Sequence, residues 1–313
     1  METGSSVRPL DEKLTGPTDC LYGDDSSIRG MVNATPLADR LALTELGTDR
    51  FVGHPAEGFD QRVFGGHLLA QALLAAAETV NHSRQANSLH AYFLRAGHAG
   101  EPIDYSVTRI RDGRSISVRS VTARQGDKEL MTFHASFTEE RPLNDVIATK
   151  PPTSPHPETV QPLHQRHDDP DTPPDGINWP TRTRWWTGSR PLDVRYIDDT
   201  DDASTRRFWF RAEPLGPGAS QNLHRAIVAF ASDRSLLPVI AKTRGDLRRS
   251  GEQRVASVDH ALWFHRDVRA GQWLQYVQDS PHSASRGLGT ARGLIYTSGG
   301  DLVASVVQQG FRQ

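Results

Sequence analysis

One cysteine, Cys20, is all that the 313 residues contain. No disulfide can close within the chain and no site built on several thiolates can form, which suits a reducing, cytoplasmic compartment. Charge of one sign is lacking as well. With 36 basic against 38 acidic residues the formal net charge is -2, so no global field recruits nucleic acid or a membrane surface. Long hydrophobic runs are missing. The apolar stretches around Leu68 to Ala77 and Ala226 to Ala231 fall well short of the ~20 residues of a membrane span, and the opening METGSSVRPL has no signal-peptide core. The chain is therefore expected to be unexported, without membrane insertion and without a nucleic-acid partner. Thirteen histidines occur without an HExxH run or a tight His/Asp cluster in strand-like segments, and His90 and His260 read as strand-packing residues. Gly65-Gly66 and Gly287-Leu288-Gly289 fit neither a phosphate-binding loop nor a dinucleotide fingerprint, and read as bends or close helix approaches. Neither a metal nor a cofactor is expected.

What is present is the composition of a globular protein, 36% hydrophobic and 24% charged, enough for one large or two ordinary domains. Residues 1–35, rich in Gly, Ser, Asp and Thr without periodicity, read as a flexible N-terminal arm. Thr35 and Pro36 then offer an N-cap and a first-turn proline to a helix over Pro36 to Leu46, with Leu37, Leu41, Leu43 and Leu46 as its apolar stripe. Arg50 to His54 reads as a strand. Phe64-Gly65-Gly66 leads into a second helix, His67 to Val80, whose few polar members demand burial. Four strands follow, over Leu89 to Leu94, Ile103 to Ile110, Ser115 to Arg124 and Leu130 to Thr138, with Asp112-Gly113 and Gly126-Asp127 as reversals. Ten prolines between Pro142 and Pro180 make residues 142–190 a long connector with little capacity for a packed core, apart from a short ordered patch near Trp185-Trp186. Strands resume at Leu192 to Ile197 and Arg206 to Ala212. After a third helix come Val255 to His265, Trp273 to Asp279, Gly287 to Tyr296 and Leu302 to Phe311.

That third helix, Asn222 to Asp233, centres the second half. Ala226 to Ala231 is apolar on every side, so the helix must be wrapped, and a sheet is the natural wrapper. Asp233 follows directly, and Pro238 marks where the helix must already have ended. At the core's edge and at the negative end of a helix dipole, this carboxyl is pushed toward its neutral form and is a stronger base once ionised. The ordinary alternative for a lone Asp is an ion pair with Arg234 or a solvated helix end.

The halves repeat each other. His67 to Glu78 matches Asn222 to Asp233 as an apolar helix ending in an acid. Leu89 to Phe93 matches Asp259 to Phe264 as a His-Ala-aromatic strand, and Arg114 to Phe137 matches Arg286 to Gln309 as a pair of strands around a Gly turn. A period above about 120 residues means two duplicated domains rather than a solenoid. The fold expected is α+β: two tandem hotdog domains, each a long central helix wrapped by a curved antiparallel sheet. Residues 36–141 form the first and 191–313 the second.

The stretches VFGGHLLAQAL, SLHAYFLRAG, RDGRSISVRSV, AFASDRSLLP, SVDHALWFHR, SASRGLGTARGLIY and LVASVVQQG resemble the bacterial acyl-CoA thioesterase II family, double-hotdog hydrolases of fatty acyl-CoA, over most of Leu37 to Gly310. The resemblance implies a centre without covalent nucleophile or metal, in which an Asp, a Ser or Thr and a Gln hold and activate a water. Carried over by motif, these are Asp233 in FASD, Ser257 in ASVDH and Gln308 in SVVQQG. Strand parity agrees, because Gln308 falls in step with Leu302, Ala304 and Val306 and puts an amide on an apolar face that must give it a partner. In the first repeat the matching positions are Glu78, Ser136 and the span Gln85 to Ser88, so one centre per chain is expected, in the second repeat. Backbone N–H groups at Gly65, Gly66 and His67 are candidate oxyanion donors at a helix start, although His67 stands where the family's FGGQ run has Gln. The function implied is hydrolysis of medium- to long-chain fatty acyl-CoA to free fatty acid and coenzyme A. The alternatives are an acyl-CoA-binding or sensing protein without chemistry, and a hotdog enoyl-CoA hydratase, whose Asp and His would share one helix; no such pair follows Asp233. Acyl-CoA is thus the expected partner, with a homo-oligomer formed through hotdog sheet edges. Arg111, Arg114, Arg119, Arg244, Arg248 and Arg249 are the basic side chains considered for the coenzyme's phosphates, with solvated surface as their default reading.

Overall fold

Hairpin turns and period-two burial build the architecture. The computed structural model describes residues 35–55, 62–139, 149–162, 165, 191–197, 205–242, 255–283 and 287–312; Trp185-Trp186 and Arg244, Arg248 and Arg249 lie outside them. The first helix, α1, is only Leu37–Arg40, and the expected helix to Leu46 gives way to strand β1, Leu43–Gly47. Gly47 and Asp49 take positive φ and fold β1 back on β2, Arg50–Gly53, so ladder pairing at the sheet edge overrides a leucine stripe of which Leu37 and Leu41 are buried and Leu46 is exposed.

Helix α2, Gly65–Ala77, is buried from Gly66 through Ala77 except at Leu74. Strands β3 (Arg84–Phe93), β4 (Ile103–Asp112), β5 (Ile116–Gln125) and β6 (Lys128–Glu139) follow. The second half contributes β7 (Asp193–Ile197), β8 (Thr205–Arg211), α3 (Gln221–Ser232), α4 (Leu236–Lys242), β9 (Val255–Ser257), β10 (Asp259–Phe264), β11 (Leu274–Ser283), β12 (Gly287–Thr297) and β13 (Leu302–Arg312). Helix α4 was not anticipated. Pro238 sits in its first turn, where a missing N–H costs no helical bond, and Leu236, Leu237, Val239 and Ile240 bury themselves from there.

All the strands join one antiparallel sheet in the order β1-β2-β4-β5-β6-β3-β10-β13-β12-β11-β8-β7, with β9 pairing β13. The first-half and second-half strands are two adjacent blocks, and the seam between them is β3 with β10, Asp259 opposite Tyr92 through Trp263 opposite Ser88. Past that last pair the β10 side of β3 needs other partners, and α3 supplies them. Asn222 accepts the Ala86 N–H at 2.8 Å and donates to the Arg84 carbonyl at 3.0 Å, while Arg225 donates to the Ala86 carbonyl at 2.7 Å. Helices α2 and α3 pack directly on one another, and their apolar faces join the inner faces of both blocks in a continuous core. The described residues belong to one unit spanning Ala34–Gln313, and among them no helix is long and apolar enough to cross a membrane.

Part of the proline-rich connector is ordered. Residues 149–162 lie against the opposite face of the second block, with Val160 packing on Ile197, Trp209 and Trp273. Carbonyls that no ladder would satisfy are met by side-chain donors: Arg207 to Thr153, Trp209 to Pro155 and Arg195 to Pro157, at 2.8–3.0 Å. Arg119 is a correction to the surface reading of the basic residues. It is 1% exposed and donates to Thr79 and Asp112, closing the C-terminal end of α2.

Candidate active site

Asp233 ends α3. Ser220 starts that helix by accepting the Leu223 N–H, and the unbroken buried run Arg225 to Ser232 carries it into the core. The chain then turns at Asp233, the C-cap, and leaves its carboxyl buried. Two strands converge on it. Strand β13 presents Val306, Gln308 and Gly310 on its buried face, and β9 sets Ser257 opposite Gly310. Gln308 Nε2 donates to Asp233 Oδ1 at 3.0 Å and to Ser257 Oγ at 2.6 Å, and Ser257 Oγ lies 3.4 Å from the same carboxylate oxygen. Gly310 keeps this corner open for α4, since a Cβ there would press on Leu237 and Ile240.

The other side of the carboxyl faces the first half. The Gly66 N–H donates to Asp233, and a Cβ on Gly65 would stand 2.6 Å from Asp233 Oδ2. A Cβ on Gly66 would collide with the Phe230 carbonyl. Two glycines therefore let the N-terminus of α2 meet the C-terminal end of α3, and the positive end of one helix offsets the negative end of the other. Burial still dominates: it pushes the Asp233 carboxyl up to about 7, against the lowering effects of the Gln308, Ser257 and Gly66 hydrogen bonds. Phe64 and Phe230 meet edge-on beside it, ring centres 5.2 Å apart.

The structure thus gathers Asp233, Ser257 and Gln308, and brings Gly65 and Gly66 onto the same acid. His67 goes elsewhere. Its N–H donates to the Phe64 carbonyl at 3.0 Å, its Nε2 donates to the His54 carbonyl at 3.1 Å, and burial lowers the ring to about 4 so that it packs as a neutral core group. Gly66's N–H serves the acid rather than standing open for an oxyanion. Glu78, the first-half counterpart of Asp233, is the exposed C-cap of α2, and Ser136, the counterpart of Gln308, bonds Ser88 and Asn87.

One contact and one participant escaped the sequence reading. Nothing local announces that the start of α2 will meet Asp233, which is a tertiary contact between distant elements. His260 did leave a signal. It falls in step with Leu262 and Phe264, both buried, and the parity argument applied to Gln308 applies equally to it. Its Nδ1 lies 3.0 Å from Gln308 Oε1 and its Nε2 2.8 Å from Ser232 Oγ.

A buried carboxyl of near-neutral pKa beside a hydroxyl and an oriented amide can take a proton from water and aim that water at an electrophile. Comparison with known proteins finds acyl-CoA thioesterases. A family model described as the acyl-CoA thioesterase N-terminal domain matches residues 54–138, and one described as acyl-CoA thioesterase matches residues 190–311. Acyl-coenzyme A thioesterase 8 of Homo sapiens is 30% identical over 305 residues, covering 92% of each chain. The crystal structure of an acyl-CoA thioesterase II, TesB2, from Mycobacterium marinum is 33% identical with a TM-score of 0.71, covering 88% of this chain and 97% of that one. A protein of unknown function with a hot dog fold from Alicyclobacillus acidocaldarius, 21% identical with a TM-score of 0.68 over 88% of this chain and 97% of that one, shares the fold.

Proposed function

The chain belongs to the acyl-CoA thioesterase II family, and from that premise we propose that it hydrolyses acyl-CoA at the Asp233, Ser257 and Gln308 centre, set where two tandem hotdog halves meet. The observation that carries the assignment is the Gln308 amide, which binds Asp233 and Ser257 at once. Ionised Asp233 takes a proton from water as the oxygen attacks the thioester carbonyl carbon, with Ser257 Oγ accepting the water's other hydrogen and the Gln308 amide holding Asp233 and Ser257 in place. Collapse of the tetrahedral adduct breaks the C–S bond, and the proton on Asp233 returns to the departing thiolate. The products are a carboxylic acid and coenzyme A. The scheme uses only the chain, water and substrate.

Medium- to long-chain fatty acyl groups are the substrates proposed, because Phe64, Phe93 and Phe230 surround the start of α2 beside the acid and offer hydrocarbon rather than hydrogen bonds. A thiol-release assay over a panel of acyl-CoA lengths tests this. Release is expected with medium and long chains, and tight binding of every length without release would instead describe a binding protein. The base must be ionised to act, so kcat/KM is expected to rise with pH up to about 7, where the carboxyl titrates, and to level off above it. Rates measured from acid to mildly alkaline pH check this, and a profile already flat in the acid range would remove Asp233 as the base.

A further inference from the structure

We propose that His260 is the positioning residue of the centre: with Ser232 beside it, its imidazole fixes which way the Gln308 amide points. The proposal rests on the reading of Asp233 as the base. A Gln side chain carries a donor and an acceptor of almost equal shape, so packing alone does not choose between its two orientations. Gln308 must turn Nε2 toward Asp233 Oδ1 and Ser257 Oγ, 3.0 and 2.6 Å away, if the amide is to support an ionised carboxylate. Turned the other way, an amide oxygen would face that carboxylate and repel it.

The productive orientation leaves Oε1 facing His260 Nδ1 at 3.0 Å, so Nδ1 must carry the hydrogen. Burial lowers the ring to about 4 and keeps it neutral, hence Nε2 is then an acceptor. Ser232 Oγ, 2.8 Å away, has the one hydrogen that Nε2 needs; the Ala229 carbonyl at 2.9 Å is its competing acceptor. Ser232, His260 and Gln308 are each at most 1% exposed, so solvent does not reorient any of them. Donor direction therefore runs from Ser232 through His260 to Gln308 and on to Asp233 and Ser257, a buried network in which every member depends on the one before it. His260 itself lies 3.9 Å from Asp233 and acts through the amide.

The test is thiol release by the full chain in five variants, each checked for a cooperative melt: Asp233→Asn, Gln308→Ala, His260→Leu, His260→Asn and the pair His260→Leu with Gln308→Ala. Leu keeps volume and removes the donor, whereas Asn restores an N–H near the Nδ1 position. His260→Leu is expected to lower kcat by about 30-fold with KM unchanged, His260→Asn to recover all but about threefold, and His260→Leu to cost little more once Gln308 is Ala. Equal loss in the Leu and Asn variants, full activity in the Leu variant, or a His260→Leu cost undiminished by Gln308→Ala would each overturn the proposal while leaving Asp233 as base. Full activity in Asp233→Asn would overturn both. Should His260→Leu fail to fold, Ser232→Ala carries the test: a fall of about fivefold in kcat at constant KM supports the tautomer argument, and an unchanged kcat refutes it.

Discussion

Asp233→Asn is expected to lower kcat for thiol release by at least about 100-fold, the usual scale for removing a general base, and to stabilise the protein at alkaline pH. The two effects have one cause. In the native state burial raises the carboxyl to about 7, against an ordinary aspartate value of 3.8, so between those limits the folded protein holds a proton that the unfolded chain has released. Stability from this group is fully present below the lower value, declines as pH rises, and is gone above about 7. That separation corresponds to roughly 4 kcal/mol. Asn never ionises, but it offers one acceptor oxygen to the Gln308, Ser257 and Gly66 donors where the acid offers two, which costs about 1 kcal/mol. The variant should therefore melt above the parent at pH 8 and below it near pH 4. Thermal melts across that range, set beside kcat, check the pair, and a variant with parental activity or a stability difference independent of pH would contradict the assigned burial of charge.

Gly65→Ala should be nearly as damaging, although it adds one methyl at a position where helix propensity favours the change by up to about 1 kcal/mol. The new Cβ would stand 2.6 Å from Asp233 Oδ2 and 3.0 Å from the Phe93 ring. The carboxylate is held by donors from Gln308, Ser257 and Gly66, so it can yield only by breaking some of them. A shift approaching 1 Å at a reacting group costs on the order of 100-fold in rate, and kcat is expected to fall by about that much with KM less affected. Losing the Gly66 N–H should also move the acid limb of the pH profile upward, because a bond that favours the charged form has gone. Gly100→Ala is the control, since a Cβ there meets nothing within 4 Å. Equal rates in the two alanine variants would show that the start of α2 does not confine the base.

Strand parity, a hard constraint, supported one member of this centre. A polar residue in step with Ala304 and Val306 must be buried, and Gln308 is. The apolar run Ala226 to Ala231 foretold a wrapped helix, and the turn pairs foretold the hairpins. The family resemblance carried Asp233, Ser257 and Gln308 together, which composition alone could not separate from an ordinary helix end and ordinary polar strand residues, and the family itself is borne out by the relatives. What stayed hidden were contacts between elements distant in sequence. Leu43 and Leu46 read as one helical stripe because the pairing with Arg50–Gly53 that claims β1 is tertiary. Gly65 and Gly66 read as a close helix approach and as candidate oxyanion donors, without Asp233 as their partner, because Phe230 and Asp233 lie more than 160 residues further along the chain. The connector's composition disguised residues 149–162, whose order comes from arginine and tryptophan donors on β7 and β8 rather than from any pattern of its own.

The encounter of α2 with Asp233 also bears on what the proposed pairing of two hotdog halves in one chain achieves. A pair of first halves would bring two glycine-led helix starts together with only the exposed Glu78 as acid. A pair of second halves would have two copies of Asp233 and no glycine pair at a helix start, since α3 opens on Ser220 and Gln221. Free subunits assorting at random would spend part of their population in those barren combinations. A single polypeptide removes that mass-action loss: every translated molecule carries one acid and one matching helix start, at a stoichiometry that neither dilution nor unequal expression can disturb.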